Sequence, residues 1–442
     1  MVRRSLLAAG FLVSLFAEPD SAKAAPPAAP GPPQEAPVAL DDLVSTLIAA
    51  DRVDEADALL AALKKERPED PQITFLQGLV ALAKGDHRAA ERAFRAILVD
   101  HPEAVRVRLE LARALFLAGD LRNAERQFRF ARSGTGSGAV KANIDDFLAR
   151  IREARDFSWQ ASFAIAPDSN INVGSSSREV TIYGLPFDLS DDARKRSGVG
   201  LDVGLAGEWA PRLSRRVRLK MGAAIQRREY AGRSFDETSA ALYAGPRVTF
   251  AKGEASLSAT AYQRYFAGKV YSRSAGLRAS TTIQLADRSV GTFELAGVHT
   301  TFPRLPEMNG WLLAASAGVF RVLDPASALS LRLGLVRQNA RVGGYASWSG
   351  SAGVGYYRDL PWGFSVQVQP SISLTRYDAA LPAFGMTRRD WTLGAQVSLL
   401  NRRLEMWNLV PKVTYGYTRQ FSNIGLYSYD RSRIEVGFTA EF

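Results

Sequence analysis

From Leu329 to Leu335 every second residue is leucine, in the run Leu-Ser-Leu-Arg-Leu-Gly-Leu. A period of two places the leucines on one face of a strand and Ser330, Arg332 and Gly334 on the other. The same alternation governs Phe364–Leu374, where Ser365, Gln367, Gln369, Ser371 and Ser373 oppose the apolar face and Pro370 falls on it. Val217–Met221 and Val413–Tyr417 behave alike. About fourteen such segments, each roughly ten to fourteen residues, fill the chain beyond Phe157, the length a tilted strand needs to cross a bilayer. They lie near 159–166, 198–209, 216–229, 237–250, 255–266, 273–284, 289–302, 310–323, 328–340, 346–358, 363–377, 387–399, 409–421 and 431–442.

The connections alternate in length. Pro211–Arg215, Ala251–Glu254, Ala286–Arg288, Asp324–Ser327 and Pro361–Gly363 are tight, with longer ones between them. An even strand count with short and long ends alternating is the pattern of an outer-membrane barrel. A soluble sandwich or propeller would have to bury the Leu and Val faces against a second sheet. All seven tryptophans follow the change to period two (Trp159, Trp209, Trp311, Trp348, Trp362, Trp391 and Trp407). Each falls near a predicted strand end, where an aromatic girdle belongs. The last segment presents Ile434, Val436, Phe438, Ala440 and Phe442 on one face. A terminal alternating strand closing on Phe resembles the signal read by the outer-membrane barrel assembly machinery.

The N-terminus agrees with export. Arg3 and Arg4 precede an apolar stretch, Leu6 to Ala17, too short to span a bilayer stably, and Ala22-Lys23-Ala24 offers a small-x-small cleavage site after Ala24. Residues 1–24 therefore read as a signal peptide and 25–38 as a semi-rigid proline-rich linker. The net charge of +11 is compatible with anionic lipid or an acidic partner. Export makes nucleic acid an unsuitable partner. There is no cysteine, hence no disulfide framework, thiolate metal site or cysteine nucleophile.

Residues 39–133 repeat. Gly85-Asp86 recurs as Gly119-Asp120, Ala90 as Ala124, Phe94 as Phe128 and Pro68 as Pro102, while Ala56 and Leu60 occupy the equivalent positions one step earlier. Each offset is the 34-residue period of tetratricopeptide helix pairs. Such pairs stack into a solenoid with a concave binding face. In this registration Gln72, Phe75, Leu79, Arg106, Leu109, Arg113 and Phe116 face the groove. Its arginines would suit an acidic segment; a purely structural spacer is the other reading. Val140, Ile144, Phe147, Leu148 and Ile151 follow at helical spacing and predict a capping helix within a linking region 134–157. The fold expected is an α-helical repeat solenoid followed by an antiparallel transmembrane β-barrel over 158–442.

The polar strand faces carry Arg218, Lys220, Arg332, Lys412, Gln367, Gln369 and Glu435. If the apolar faces meet lipid, these groups line a lumen or pair with one another inside a packed barrel. The chain enters the barrel from the helical repeats, so both barrel termini belong on the periplasmic side and the long loops outside. The first strand is expected to end over Phe163–Ala166. Pro167 then ends pairing, and Asp168, Ser169, Asn170 and Asn172 bond local backbone. The loop that follows, to about Ser197, is of a length that is usually functional or mobile.

A helical-repeat domain, a first strand running into Pro167-Asp168-Ser169-Asn170-Ile171-Asn172, and a barrel ending in Phe together resemble the surface lipoprotein assembly modifier family. The resemblance covers essentially the whole chain after the signal segment. It implies an outer-membrane barrel that moves particular lipoproteins, or soluble haem- or metal-acquisition proteins, to the cell surface. It also implies periplasmic repeats that meet the client or a periplasmic chaperone.

Other functions remain open on the residues alone. An arginine-bearing lumen would suit a polysaccharide exporter or another solute-transport barrel. Such exporters usually carry many more repeats. Enzyme chemistry is poorly provided for. His87, His101 and His299 are dispersed, and only His299 lies in the barrel region. Glu294 and Asp390 form no readable pair, and no phosphate-cradling loop appears. No cofactor, metal or catalytic residue is expected.

Overall fold

The computed structural model describes residues 39–154, 156–190, 193–404 and 409–439. The signal segment with Ala22 and Ala24, the proline-rich linker, Trp407, Ala440 and Phe442 lie outside the described residues. The chain forms two compact units, dividing between Leu148 and Ala149.

The first unit is helical: α1 (Leu40–Ala49), α2 (Val53–Glu66), α3 (Pro71–Ala83), α4 (His87–Asp100), α5 (Val105–Leu117), α6 (Leu121–Gly134) and α7 (Gly138–Ala154), the last running across the division. The repeated Gly-Asp pair explains the turns. Gly85 and Gly119 take φ of +78° and +84°, which ends one helix in the left-handed region. Asp86 and Asp120 then cap the next helix by accepting from the backbone N–H of Ala89 and Asn123. The first repeat has Asp51 at the glycine position, with φ of +59°, and Arg52 at the cap with no side-chain cap bond.

The predicted core positions meet. Ala56, Leu60, Ala90, Phe94, Ala124 and Phe128 are all buried. Gly78 matters because a Cβ there would stand 2.5 Å from the Phe94 ring. The helix is bare at this point so that Phe94 can lie against it. Phe147 of α7 stacks on Phe128 at 4.9 Å and meets Phe116 edge-on at 5.3 Å. That apolar contact is what makes α7 a cap.

The second unit is a barrel. Its strands are β1 (Phe157–Asp168), β4 (Gly198–Trp209), β5 (Val217–Tyr230), β6 (Glu237–Phe250), β7 (Gly253–Phe266), β8 (Lys269–Ala286), β9 (Ser289–Thr301), β10 (Gly310–Asp324), β11 (Ser327–Gln338), β12 (Ser347–Asp359), β13 (Phe364–Leu381), β14 (Met386–Asn401), β15 (Val410–Ser422) and β16 (Tyr429–Thr439). A short hairpin, β2 (Glu179–Ile182) with β3 (Leu185–Asp188), lies in the first loop. Among the described residues the fourteen long strands close on themselves, each antiparallel to its sequence neighbour, with β1 between β4 and β16. The rim where β1 begins is called the inner rim here, and the opposite one the outer rim.

Alternation sets the two surfaces. Leu329, Leu331, Leu333 and Leu335 are 38% to 50% exposed on the outside, as lipid-facing residues must be. Trp159, Trp209 and Trp362 are exposed toward the inner rim and Trp311, Trp348 and Trp391 toward the outer, giving two girdles.

The structure corrects the sequence reading in two places. Pro167 does not end the strand: β1 stays paired with β4 through Pro167↔Val199 and Asp168↔Gly198. Proline is tolerated because successive residues turn their backbone groups to opposite neighbours, and the odd-numbered residues here face β16. The N–H of Ser169, for example, donates to Ser432 O. The alternation of short and long connections also breaks. The outer turn between β7 and β8 is only Ala267-Gly268, with φ of +50° and +73°, the two-residue geometry that lets strands run on without a loop. The first loop also carries a hairpin of its own, β2 with β3, that the sequence reading did not place.

Candidate functional site at the outer rim

The motif residues converge where β1 leaves the barrel. Asp168 points inward and is 4% exposed. Its carboxylate accepts from Arg431 Nε at 3.0 Å and from Tyr230 OH at 3.1 Å, and it takes the N–H of Asn170 at 2.9 Å. Arg433 Nε stands 3.7 Å away. An isolated carboxylate so buried would be costly; two guanidinium groups and a phenol make it tenable.

Asn170 is fully buried. Its Oδ1 accepts from Gly174 N at 2.8 Å, and its Nδ2 donates to Gly174 O at 2.9 Å and to Asp430 O at 3.0 Å. Asn172 does the same work one turn on: Oδ1 accepts from Arg196 N at 3.0 Å, and Nδ2 donates to Arg194 O at 2.6 Å. A Cβ at Gly174 would lie 2.4 Å from Arg194 O, so the two arms of the loop approach as closely as backbone allows. Ser169 bonds Ser432 in both directions, through N to Ser432 O at 2.9 Å and from Ser432 N to its own Oγ at 2.8 Å. Ile171 fills the space over Gly198, 3.2 Å from where a Cβ would sit.

Beyond the motif the loop is fastened across neighbouring strands. Ser175 Oγ donates to Gly425 O at 3.0 Å, Lys195 Nζ pairs with Asp430, and Tyr183 N donates to Ala383 O at 2.8 Å. The first loop thus lies over the rim formed by β13 to β16. Sequence reading anticipated local backbone bonds from the motif. It missed Tyr230, Asp430, Arg431 and Arg433, the last of these 265 positions from Asp168. The available signal was the inward parity of Arg431, Arg433 and Glu435 on the last strand.

The wall below carries several ion pairs. Lys220 and Arg247 share Glu208 at 3.4 and 3.0 Å, Arg228 meets Asp202 at 3.0 Å, and Arg433 holds Glu435 at 2.9 Å and also reaches Asp202. Arg218 is buried against Asp156 and the carbonyl of Ala210. At mid-height the lumen admits water: Arg278 and Glu294 pair at 3.2 Å with side chains 55% and 39% exposed, and Arg332 is exposed inside. Gln367, Gln369 and Lys412 share this inward face.

In the helical unit, three of the seven groove residues come together. Gln72 Nε2 donates to Asp41 at 2.7 Å, Arg106 reaches the same carboxylate at 3.3 Å, and its guanidinium lies 4.7 Å above the Phe75 ring. Arg113 stands 3.6 Å from Glu110, while Phe116 is engaged by Phe147; Leu79 and Leu109 are half-buried. The groove is therefore charge-balanced, with Asp41 from the degenerate first repeat as the unforeseen member. Burial pushes the Glu110 carboxyl above its usual value, against the opposing pull of Arg113 and Arg106. A carboxyl raised in the folded state binds its proton more tightly there than in the unfolded chain. Its effect favours folding below the unfolded value and is lost as pH rises through the raised one. Glu110→Gln should flatten the fall in stability of the helical unit between mildly acidic and neutral pH. Protease resistance of the full chain across that range measures it.

The surface lipoprotein assembly modifier description matches residues 158–442, and the description of its N-terminal tetratricopeptide repeats matches residues 34–128. The chain belongs to the surface lipoprotein assembly modifier family. Similar proteins include a surface lipoprotein assembly modifier of Pasteurella multocida, 22% identical over 87% of this chain and 79% of the relative. One from Moraxella catarrhalis is 23% identical over 92% and 80%. A hemophilin secretion modulator of Acinetobacter baumannii is 23% identical over 88% of this chain and 82% of its own length. Membership of the surface lipoprotein assembly modifier family places the barrel in the outer membrane, in accord with its apolar exterior and paired tryptophan girdles.

Proposed function

We propose that this protein is a non-enzymatic outer-membrane translocator that moves specific client proteins from the periplasm to the cell surface. The observation that carries the reading is the joint match of both units to one family, together with a motif that organises the outer mouth. The clients we propose are surface lipoproteins or soluble haem- or metal-acquisition proteins; the relatives' names speak of surface lipoproteins and of hemophilin secretion. The repeats would stand in the periplasm and receive the client or its chaperone. The barrel assembly machinery would insert the chain, and outer-membrane lipid would surround it.

A comparison of protease-accessible proteins on intact cells, with and without this protein, tests the reading when the culture medium is included. Loss of one or a few proteins from the outside, with retention in the periplasm, is expected. An unchanged protein surface with altered capsule or solute uptake would overturn it. The groove adds a narrower expectation. Arg106→Glu with Arg113→Glu places two carboxylates beside Asp41 and Glu110. It should lower client or chaperone capture from periplasmic extract at least tenfold while leaving barrel insertion intact. Unchanged capture would remove the groove from the pathway.

A further inference from the structure

We propose that the lipid face of β4 to β7 is a binding site for an anionic phospholipid of the leaflet at the inner rim. Its acyl chain lies in a recess of the wall, and its phosphate meets the cations of the turns below. The inference goes beyond the translocator reading and needs no client.

The recess has a volume of about 660 Å3. Ala223 of β5, Ala244 of β6 and Ala259 and Ala261 of β7 form its floor, with Trp209 and Leu242 beside them. The register brings these residues to one face: Trp209↔Met221, Met221↔Ala244 and Ala244↔Ala259 run straight across the four strands. Alanines stand here where the same face of β11 carries leucines, so the wall is hollowed. Trp209 is the last residue of β4 and belongs to the inner girdle. The recess therefore starts at the membrane boundary and climbs toward mid-height.

Shape alone would select no ligand, because lipid tails are as apolar as the wall itself. The charge at its foot does. Two turns join the four strands at the inner rim. The β4–β5 turn carries Arg212, Arg215 and Arg216, the β6–β7 turn carries Lys252, and all four are exposed. Arg215, Arg216 and Lys252 have no ion-pair partner among the described residues. By contrast, the β10–β11 turn, Pro325-Ala326, and the β12–β13 turn, Leu360 to Gly363, carry no cation. Basic groups at headgroup level attract anionic lipid, and a hollow directly above them seats the chain of the lipid they hold.

A second recess supplies an internal control. It has a volume of about 450 Å3, is floored by Ala279, Gly297 and Ala315, and reaches the outer girdle at Trp348. The cation that lines it, Arg337, is already engaged. It donates to both carboxylate oxygens of Asp378 at 2.7 and 2.6 Å and lies 5.4 Å from the Trp348 ring. A hollow without available charge should take lipids regardless of headgroup.

Full-length protein in phosphatidylethanolamine vesicles tests the site. The vesicles carry a trace of phosphatidylglycerol with a photoreactive diazirine in its acyl chain. After illumination, mass spectrometry of the peptides gives the ratio of label in the first recess to label in the second. We expect a ratio of about ten for the phosphatidylglycerol probe and near one for a phosphatidylethanolamine probe with the same chain. About 1 M salt should weaken the preference. Arg215→Glu/Arg216→Glu/Lys252→Glu, with folding verified by heat-modifiable migration, should bring the phosphatidylglycerol ratio down to that of phosphatidylethanolamine. Equal division of the phosphatidylglycerol probe in the wild type overturns the site and leaves annular lipid only. An unchanged ratio in the folded charge-reversed protein does the same. The wild-type comparison of the two probes decides the matter even where the variant does not fold. None of these results depends on a client, so failure of the lipid site and failure of the translocator reading are separate outcomes.

Discussion

Arginine at Leu331 and Leu333 together should nearly abolish the folded barrel, whereas arginine at the intervening position 332 is already native. Leu331 and Leu333 sit mid-strand on the lipid face of β11, 45% and 50% exposed, with Arg332 turned to the lumen between them. A charged side chain at the bilayer midplane costs about 2–4 kcal/mol on the lipid face of a barrel strand. Two such charges approach the whole stability of an ordinary domain, roughly 5–15 kcal/mol. Heat-modifiable migration of the membrane-extracted protein measures the folded fraction. Leu331→Arg/Leu333→Arg should show little, and Ser330→Arg on the lumen side should stay near wild type. Equal damage from both would mean the inside and outside of the wall are misassigned.

Asn170→Ala should unfasten the first loop at the cell surface. The fully buried amide serves the backbone of Gly174 and Asp430, and alanine would leave those groups without partners in a place water does not reach. Each orphaned buried group costs about 1–3 kcal/mol, so the loop rather than the barrel should give way. Trypsin added to intact cells should then cut at Arg178 or Lys195 at least tenfold faster, with the barrel core still resistant. Asn172→Ala should act in the same direction through Arg194 and Arg196. A loop as protected as wild type in both variants would show that other contacts suffice.

The barrel was legible because lipid imposes a strict rule on alternate residues. Segments 198–209 and 237–250 read from the sequence coincide with β4 and β6. The helical repeat was legible because Gly-Asp pairs and small-large core positions recur at a fixed offset. Strand ends were less so. Pro167 looks like a terminator until one knows which neighbour its missing N–H would have faced. The hairpin in the first loop escaped notice because each of its strands has only four residues. The polar cluster at the outer rim was hidden for a different reason. Asp168 and Arg431 become neighbours only when a fourteen-strand wall closes, and nothing local announces the closure. Asp41, likewise, enters the groove from the repeat whose pattern is most eroded.

Strands β8 and β13 each run eighteen residues. At about 3.3 Å per residue and a tilt near 40°, such a strand rises roughly 45 Å, against an apolar band about 25 Å tall. The surplus lifts parts of the wall clear of the hydrocarbon, and Arg337 with Asp378 forms a bidentate pair toward the outer end. A parapet of this height sets the mouth of the barrel well above the lipid headgroups. On the translocator reading proposed above, cargo leaving by the mouth would emerge clear of the membrane surface.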